Sequence, residues 1–353
     1  MSRRPFFIWP VMMGVVLVGL LLAACGPRDT GPTLAPLPTV TPTPRSTPLP
    51  TLPTPVPPAV EENPLTMLVL PQDEAAAEDA ADAVAARILE LSGLAVEVQT
   101  VSSYGAIVAQ LCGSAPVAGW VDGLAFVVAE ASDCADPVLL VRRGAANGFQ
   151  VDLLAGEAVE RLADLTALTQ PTAVPADEDA TPEADEEPGG GAFCRVSAED
   201  AVTWLVPNLM LYAGNLNPVY DLGVIIDVDD YDAIVDAIYD GDCVAGAVPH
   251  GYLESDDLGA RRATRRDLTD RVQVLQTSPL VPYDILVFPQ TVPLDVRIRL
   301  TDVLVQMAAD EDDAALLAGL LGQDALARVD AGTFDSFRSF MERTGLDFAA
   351  LGE

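Results

Sequence analysis

The chain holds one histidine, His250, and no Gly-x-Ser-x-Gly turn to supply it with a nucleophile. Hydrolysis needs a nucleophile with a base, or a metal centre. No pair of carboxylates stands apart from the acid-rich background, so an enzyme is not expected. Cys112, Cys134, Cys194 and Cys243 contain no Cys-x-x-Cys, and with a lone histidine neither a zinc site nor any cofactor is expected. The chemistry open to these four is disulfide formation. Three pairings are possible, and chain order favours Cys112 with Cys134 and Cys194 with Cys243. Tyr231, His250 and the pair Tyr283-Asp284 fall at loop or crossover positions. Aromatic faces beside carboxylates suit an amine or a quaternary ammonium through cation–π contact.

An alternation of strands and helices must hold such residues in place. Residues 66–70 form a short apolar run ended by Pro71, which reads as a buried strand. Residues 74–91 place Ala77, Ala80, Ala81, Val84, Ile88 and Leu91 at helical spacing and stop at Gly93. Further strands are expected at 95–101, 116–121 and 138–141, with helices at 104–112 and 124–131 between them. Residues 171–191, rich in Pro, Glu, Asp, Thr and Gly, interrupt this rhythm. They bury too little apolar surface to order themselves and read as a disordered acidic insertion. Beyond it, strands are expected at 193–196, 224–227, 243–248 and 272–276, with 282–288 extended. Helices are expected at 198–212, 231–239, 293–309, 312–321 and 334–343. The pattern predicts an α/β fold, two units with mostly parallel sheets joined by extended crossovers. A small ligand usually sits in a cleft between two such units.

Near the N-terminus, Arg3 and Arg4 precede an apolar run from Val11 to Leu22, then Ala23, Ala24 and Cys25. A basic head, an apolar run and small residues before a cut make residues 1–24 an export signal. A cut just before cysteine resembles a bacterial lipoprotein signal. That resemblance implies that Cys25 carries acyl chains, and two or more chains anchor a protein stably. The alternative is an uncleaved anchor, because Phe6 to Ala24 approaches the roughly 20 residues needed to span a bilayer. Either way the rest of the chain is expected outside the cytoplasm, held to the outer face of the cell membrane. Residues 25–63, mostly Pro, Thr and Leu, favour polyproline II and form a tether. At about 3.1 Å per residue it reaches up to roughly 100 Å. The net charge is −34 and every basic residue is arginine. Such a surface repels phosphate backbones, so no nucleic-acid partner is expected.

Three blocks, in order, resemble the phosphate/phosphite/phosphonate-binding proteins of ABC importers. The first runs from Leu65-Thr66-Met67-Leu68-Val69-Leu70-Pro71 through Ser103-Tyr104-Gly105 to Val117-Ala118-Gly119-Trp120-Val121 and Gly123-Leu124-Ala125-Phe126. The second runs from Tyr231-Asp232-Ala233-Ile234-Val235 to Gly241-Asp242-Cys243-Val244-Ala245-Gly246. The third is Val274-Leu275-Gln276-Thr277-Ser278-Pro279-Leu280-Val281-Pro282-Tyr283-Asp284. The resemblance implies a type 2 periplasmic-binding-protein fold, two α/β lobes on a two-stranded hinge that close on a small ligand. It implies an ABC permease as partner and a monomer in solution. Lobe 1 is then expected at 64–150 and 282–353, and lobe 2 at 151–281. By the same resemblance Tyr104 matches a first-lobe aromatic, Phe126 takes the place of a second, and Trp120 ends the strand between them. The family's anion turn corresponds to Ser197 through Thr203, where Glu199 and Asp200 stand in place of hydroxyls, and a family histidine falls at Tyr231. Two carboxylates facing a dianion are unfavourable by several kcal/mol. The expected ligand therefore moves from phosphonate toward an amine or zwitterion. A binding-protein fold serving as a ligand sensor or surface interaction module is the alternative.

Overall fold

In the computed structural model, residues 56–71, 73–169, 191–322, 325–330 and 332–350 are described. The export signal, Cys25, the tether up to residue 55 and the acidic segment apart from Gly191 lie outside them. One sheet has six strands in the order β13 (Ala325–Arg328), β4 (Asp136–Arg142), β12 (Ile285–Phe288), β3 (Val117–Val121), β1 (Leu65–Val69) and β2 (Val96–Thr100). The other has five, in the order β10 (Val272–Thr277), β6 (Val151–Gly156), β9 (Cys243–Pro249), β7 (Ala192–Arg195) and β8 (Ile225–Asp227). Between them β5 (Gly148–Phe149) pairs antiparallel with β11 (Val281–Pro282). This two-stranded ribbon carries both passages of the chain from sheet to sheet, so the fold is a two-lobed α/β fold on a hinge.

Both sheets are mixed, where mostly parallel pairing was expected. β1 runs parallel to β2 and β3, but β12 is antiparallel to β3 and β4. β7 is parallel to β8 and β9, while β6 is antiparallel to β9 and β10. The cause is topological. β6 and β12 each follow a hinge crossover, so they start at the hinge and run away from it, against the strands that precede helices.

The helices are α1 (Glu74–Ser92), α2 (Tyr104–Leu111), α3 (Gly123–Ala131), α4 (Leu162–Thr169), α5 (Val206–Ala213), α6 (Pro218–Asp221), α7 (Tyr231–Asp240), α8 (Gly259–Thr264), α9 (Leu268–Arg271), α10 (Leu294–Ala309), α11 (Glu311–Leu321) and α12 (Asp335–Arg343). α1 shows how local chemistry sets them. Asp73 accepts from the Ala76 amide, Ala77, Ala80, Val84 and Ile88 turn inward, and Gly93 ends the helix at φ 69°. That left-handed geometry is open to glycine at little steric expense.

The helix expected over 198–212 starts later and in another form. Asp200 caps a π-helical turn, Ala201–Leu205, which runs into α5. Pro207, at the start of α5, has no amide to donate and its ring crowds the turn before it. A widened turn accommodates both.

Apolar side chains gather in three clusters. One fills the outer face of the first sheet around Met67, Trp120 and Leu304, and one lies around Ile234 and Val272 in the second lobe. The third runs across both lobes, joining Ile107, Phe126 and Phe337 to Leu153, Phe193 and Met210. Disulfides join Cys112 to Cys134 and Cys194 to Cys243, with Cα separations of 4.9 and 5.9 Å. At the end of the expected tether the chain is already packed. Ala59 is buried and its carbonyl accepts from the Ala95 amide.

Candidate functional site

A cavity of about 460 Å³ lies between the lobes beside the ribbon. Strand ends deliver its walls. Asp122 follows β3, Arg143 follows β4, Pro249 ends β9, and Asp284 precedes β12. Four helical segments begin there, since Tyr104, Gly123, Ala201 and Tyr231 open α2, α3, the π-helical turn and α7 and all line the cavity. Helix starts present free amides and partial positive charge, which draw anions. Here the chain's own side chains take one amide at each start. Ser103 accepts from Ala106 at 3.2 Å, Asp122 from Ala125 at 2.7 Å, Asp200 from Thr203 at 2.6 Å and Asp230 from Ala233 at 2.8 Å. Three of these four caps are aspartates.

Aromatic and acidic groups share the remaining wall. The Tyr104 hydroxyl donates to Asp284 Oδ1 at 2.8 Å. Burial, then the charges of Asp284 and Asp122, push that hydroxyl well above the usual tyrosine range. Burial raises Asp122 to about 6, against the Ala125 amide that favours its charged form. Burial also raises Asp284, opposed by the Tyr104 hydrogen bond and by Arg143. Tyr231 is raised by burial and by Asp200, so Asp200 acts on the cavity without lining it. Arg143 is the one basic residue among those lining the cavity, and its guanidinium lies 4.4 Å from the Tyr283 ring centroid. Phe149 stacks with Tyr283, their ring centroids 5.9 Å apart.

Of the residues expected from sequence, the structure brings Tyr104, Tyr231, Tyr283 and Asp284 together at the cavity. The others lie elsewhere. Trp120 is 1% exposed and points from β3 into the cluster on the far face of the sheet. Side chains alternate along a strand, and Val117 and Val121 take the face toward α2 and α3. Phe126 is fully buried, 4.9 Å from Phe334. Thr203 is buried, with its hydroxyl donating to Asp200 and accepting from the Val196 amide. Glu199 is exposed and outside the cavity wall. His250 is exposed, its Nδ1 2.9 Å from Asp152 Oδ1, next to the wall residue Pro249.

The sequence reading missed Asp122, Arg143, Phe149 and Gln150, which line the cavity. A signal existed for Asp122. An aspartate between a strand and a glycine-led helix is an N-cap pattern, and α/β ligands gather at the carboxyl ends of strands.

The buried Trp120 indole Nε1 has no hydrogen-bond partner among the described residues. Trp120→Phe removes packing but also an unsatisfied donor, so it should lower stability by less than about 2 kcal/mol. Ligand affinity should not change. A titration of the variant checks this, and a loss of affinity at unchanged fold would put Trp120 back in the site.

No curated protein matches the chain in sequence. Solved structures do match in fold. A Xanthomonas citri protein bound to chloride ion superposes with a TM-score of 0.52 at 15% identity, covering 80% of this chain and 97% of that one. Bound to ATP, the same protein gives 0.53 at 15%, covering 80% and 96%. A binding protein component of an ABC phosphonate transporter from Pseudomonas aeruginosa gives 0.47 at 14%, covering 82% and 88%. At these identities the likeness speaks for the fold alone. The sequence itself carries the family. Residues 67–334 match the family described as ABC transporter, phosphonate, periplasmic substrate-binding protein. Two lobes on a hinge, a cavity between them and that match make the chain a member of the phosphonate-binding family of ABC transporter substrate-binding proteins.

Proposed function

We propose that this protein captures a solute with a cationic group, an amine, quaternary ammonium or zwitterion, and presents it to an ABC permease. The observation that carries the reading is the set of caps. Three helical starts at the cavity are capped by Asp122, Asp200 and Asp230, so each sets a carboxylate beside the amides an anion would approach. An anionic ligand would face Asp122 and Asp284 with Arg143 as its one positively charged partner among the lining side chains. A cation meets the same carboxylates as partners and the rings of Tyr104 and Tyr231 as cation–π surfaces, while Tyr283 already carries Arg143 over its ring. A zwitterion places its own carboxylate on Arg143.

In this reading, residues 64–150 with 282–353 close against 151–281 about the β5–β11 ribbon. Cys25 anchors the protein by acyl chains, the chain before the lobes is the tether, and the protein works as a monomer on the outer face of the membrane.

A thermal-shift screen tests it, using phosphate, methylphosphonate, tetramethylammonium, choline and glycine betaine. A cation at a hundredfold over its Kd should add about 2.7 kcal/mol of stability. A shift with methylphosphonate and none with the cations would overturn the reading. Silence toward every compound would favour a sensor or surface interaction module.

A further inference from the structure

A second cavity, of about 410 Å³, lies along the same seam between the lobes. It is built unlike the first. Among the described residues no charged side chain lines it, and its walls are carried by Val128 of α3, Leu209 of α5, Met341 of α12 and Phe348 beyond. Its polar side chains are Asn208 and Tyr212, and Asn208 Oδ1 is buried with no hydrogen-bond partner among the described residues. Buried orphan acceptors are uncommon in folded proteins and call for a cause.

The two cavities share a wall. Leu124 lines both. At two places chain neighbours divide between them, Tyr104 to the first and Gly105 to the second, Val206 to the first and Leu205 to the second. Consecutive Cα atoms are about 3.8 Å apart, so the partition is about one residue thick. On one side stand carboxylates and aromatic faces, on the other a mostly apolar hollow without charged side chains among the described residues.

We infer that the ligand is an amphiphilic cation, whose charged head occupies the carboxylate cavity while its apolar chain passes Leu124 into the second. This rests on the cation reading of the first cavity and adds to it the nature of the remainder of the molecule.

Alkyltrimethylammonium ions of increasing chain length, from tetramethyl through butyl and hexyl to octyl, test it by titration into the full chain. Each buried methylene should tighten binding about fourfold. Val128→Trp fills the second cavity. Gly105→Leu is an independent filler, since a Cβ there meets nothing nearer than Ser103 Oγ at 3.9 Å. Both variants should flatten the dependence on chain length while tetramethylammonium binds as before. Tetramethylammonium binding without a chain-length slope overturns this inference alone, as does a slope that survives both variants. Failure of every ion to bind overturns the cation reading together with it.

Discussion

The double variant Asp122→Asn, Asp284→Asn should bind tetramethylammonium at least about a hundredfold more weakly than the parent. Asparagine keeps the shape of both side chains. It caps a helix as well as aspartate does, so the contact to Ala125 survives. It also keeps an oxygen for the Tyr104 hydroxyl. What goes is charge. Interactions with a charged group are worth about 1.5–3 kcal/mol each, and two of them give the expected loss. The apo protein should not suffer. Burial raises Asp122 in the fold to about 6 from an ordinary 3.8, so its charge opposes folding above that range. Between about pH 4 and 6 the folded state binds more protons than the unfolded one, and stability falls as pH rises through that window. The asparagine variant should lack that slope and melt at or above the parent temperature near neutral pH. With both carboxylates gone, Arg143 is the remaining charge on the wall, and weak methylphosphonate binding should emerge. Calorimetry on parent and variant reads all three effects.

Gly148→Val should destabilise the protein by roughly 3 kcal/mol and weaken ligand binding with it. Gly148 stands opposite Pro282 in the hinge ribbon. A Cβ there would lie 2.1 Å from the Val281 carbonyl oxygen and 2.8 Å from its carbon. Those atoms are backbone, so no rotamer change relieves the contact, and the two crossovers must separate. Since both passages between the lobes run through this ribbon, the separation also moves the cavity walls apart. Gly259→Ala is the control, because a Cβ there meets nothing within 4 Å and the backbone is helical. It should be neutral or stabilising by up to about 1 kcal/mol. Thermal unfolding of both variants, with a ligand titration of each, separates damage at the hinge from loss of a glycine in general. A Gly148→Val protein as stable as the parent would mean that the ribbon does not set the spacing of the lobes.

What was legible in the sequence is what local chemistry writes. α1 follows from apolar spacing and a terminal glycine, and the alternation of strands and helices identified two α/β units. β6 was missed, although it sits inside the second sheet between β10 and β9. Its residues are buried on both faces, so no alternation marks it. Asp152 interrupts it, and is accommodated only through Thr277, His250 and the Gly251 amide, partners distant in the chain. The acidic turn at Ser197 to Thr203 was read as part of the ligand surface, yet Asp200 folds onto its own turn and acts through Tyr231. Trp120 illustrates the limit most plainly. Its place beside the site in sequence says nothing about which face of β3 it takes, and that parity is fixed by the register with β1 and β12.

The most direct test is a calorimetric titration of the full chain with tetramethylammonium at about pH 7.5 and about pH 5, with methylphosphonate in parallel. Asp122 loses its charge as pH falls below about 6, so the cation should bind at the higher pH, release a proton on binding near pH 6, and weaken markedly at the lower pH. Methylphosphonate that binds at both values, with no heat from the cation at either, would contradict the account.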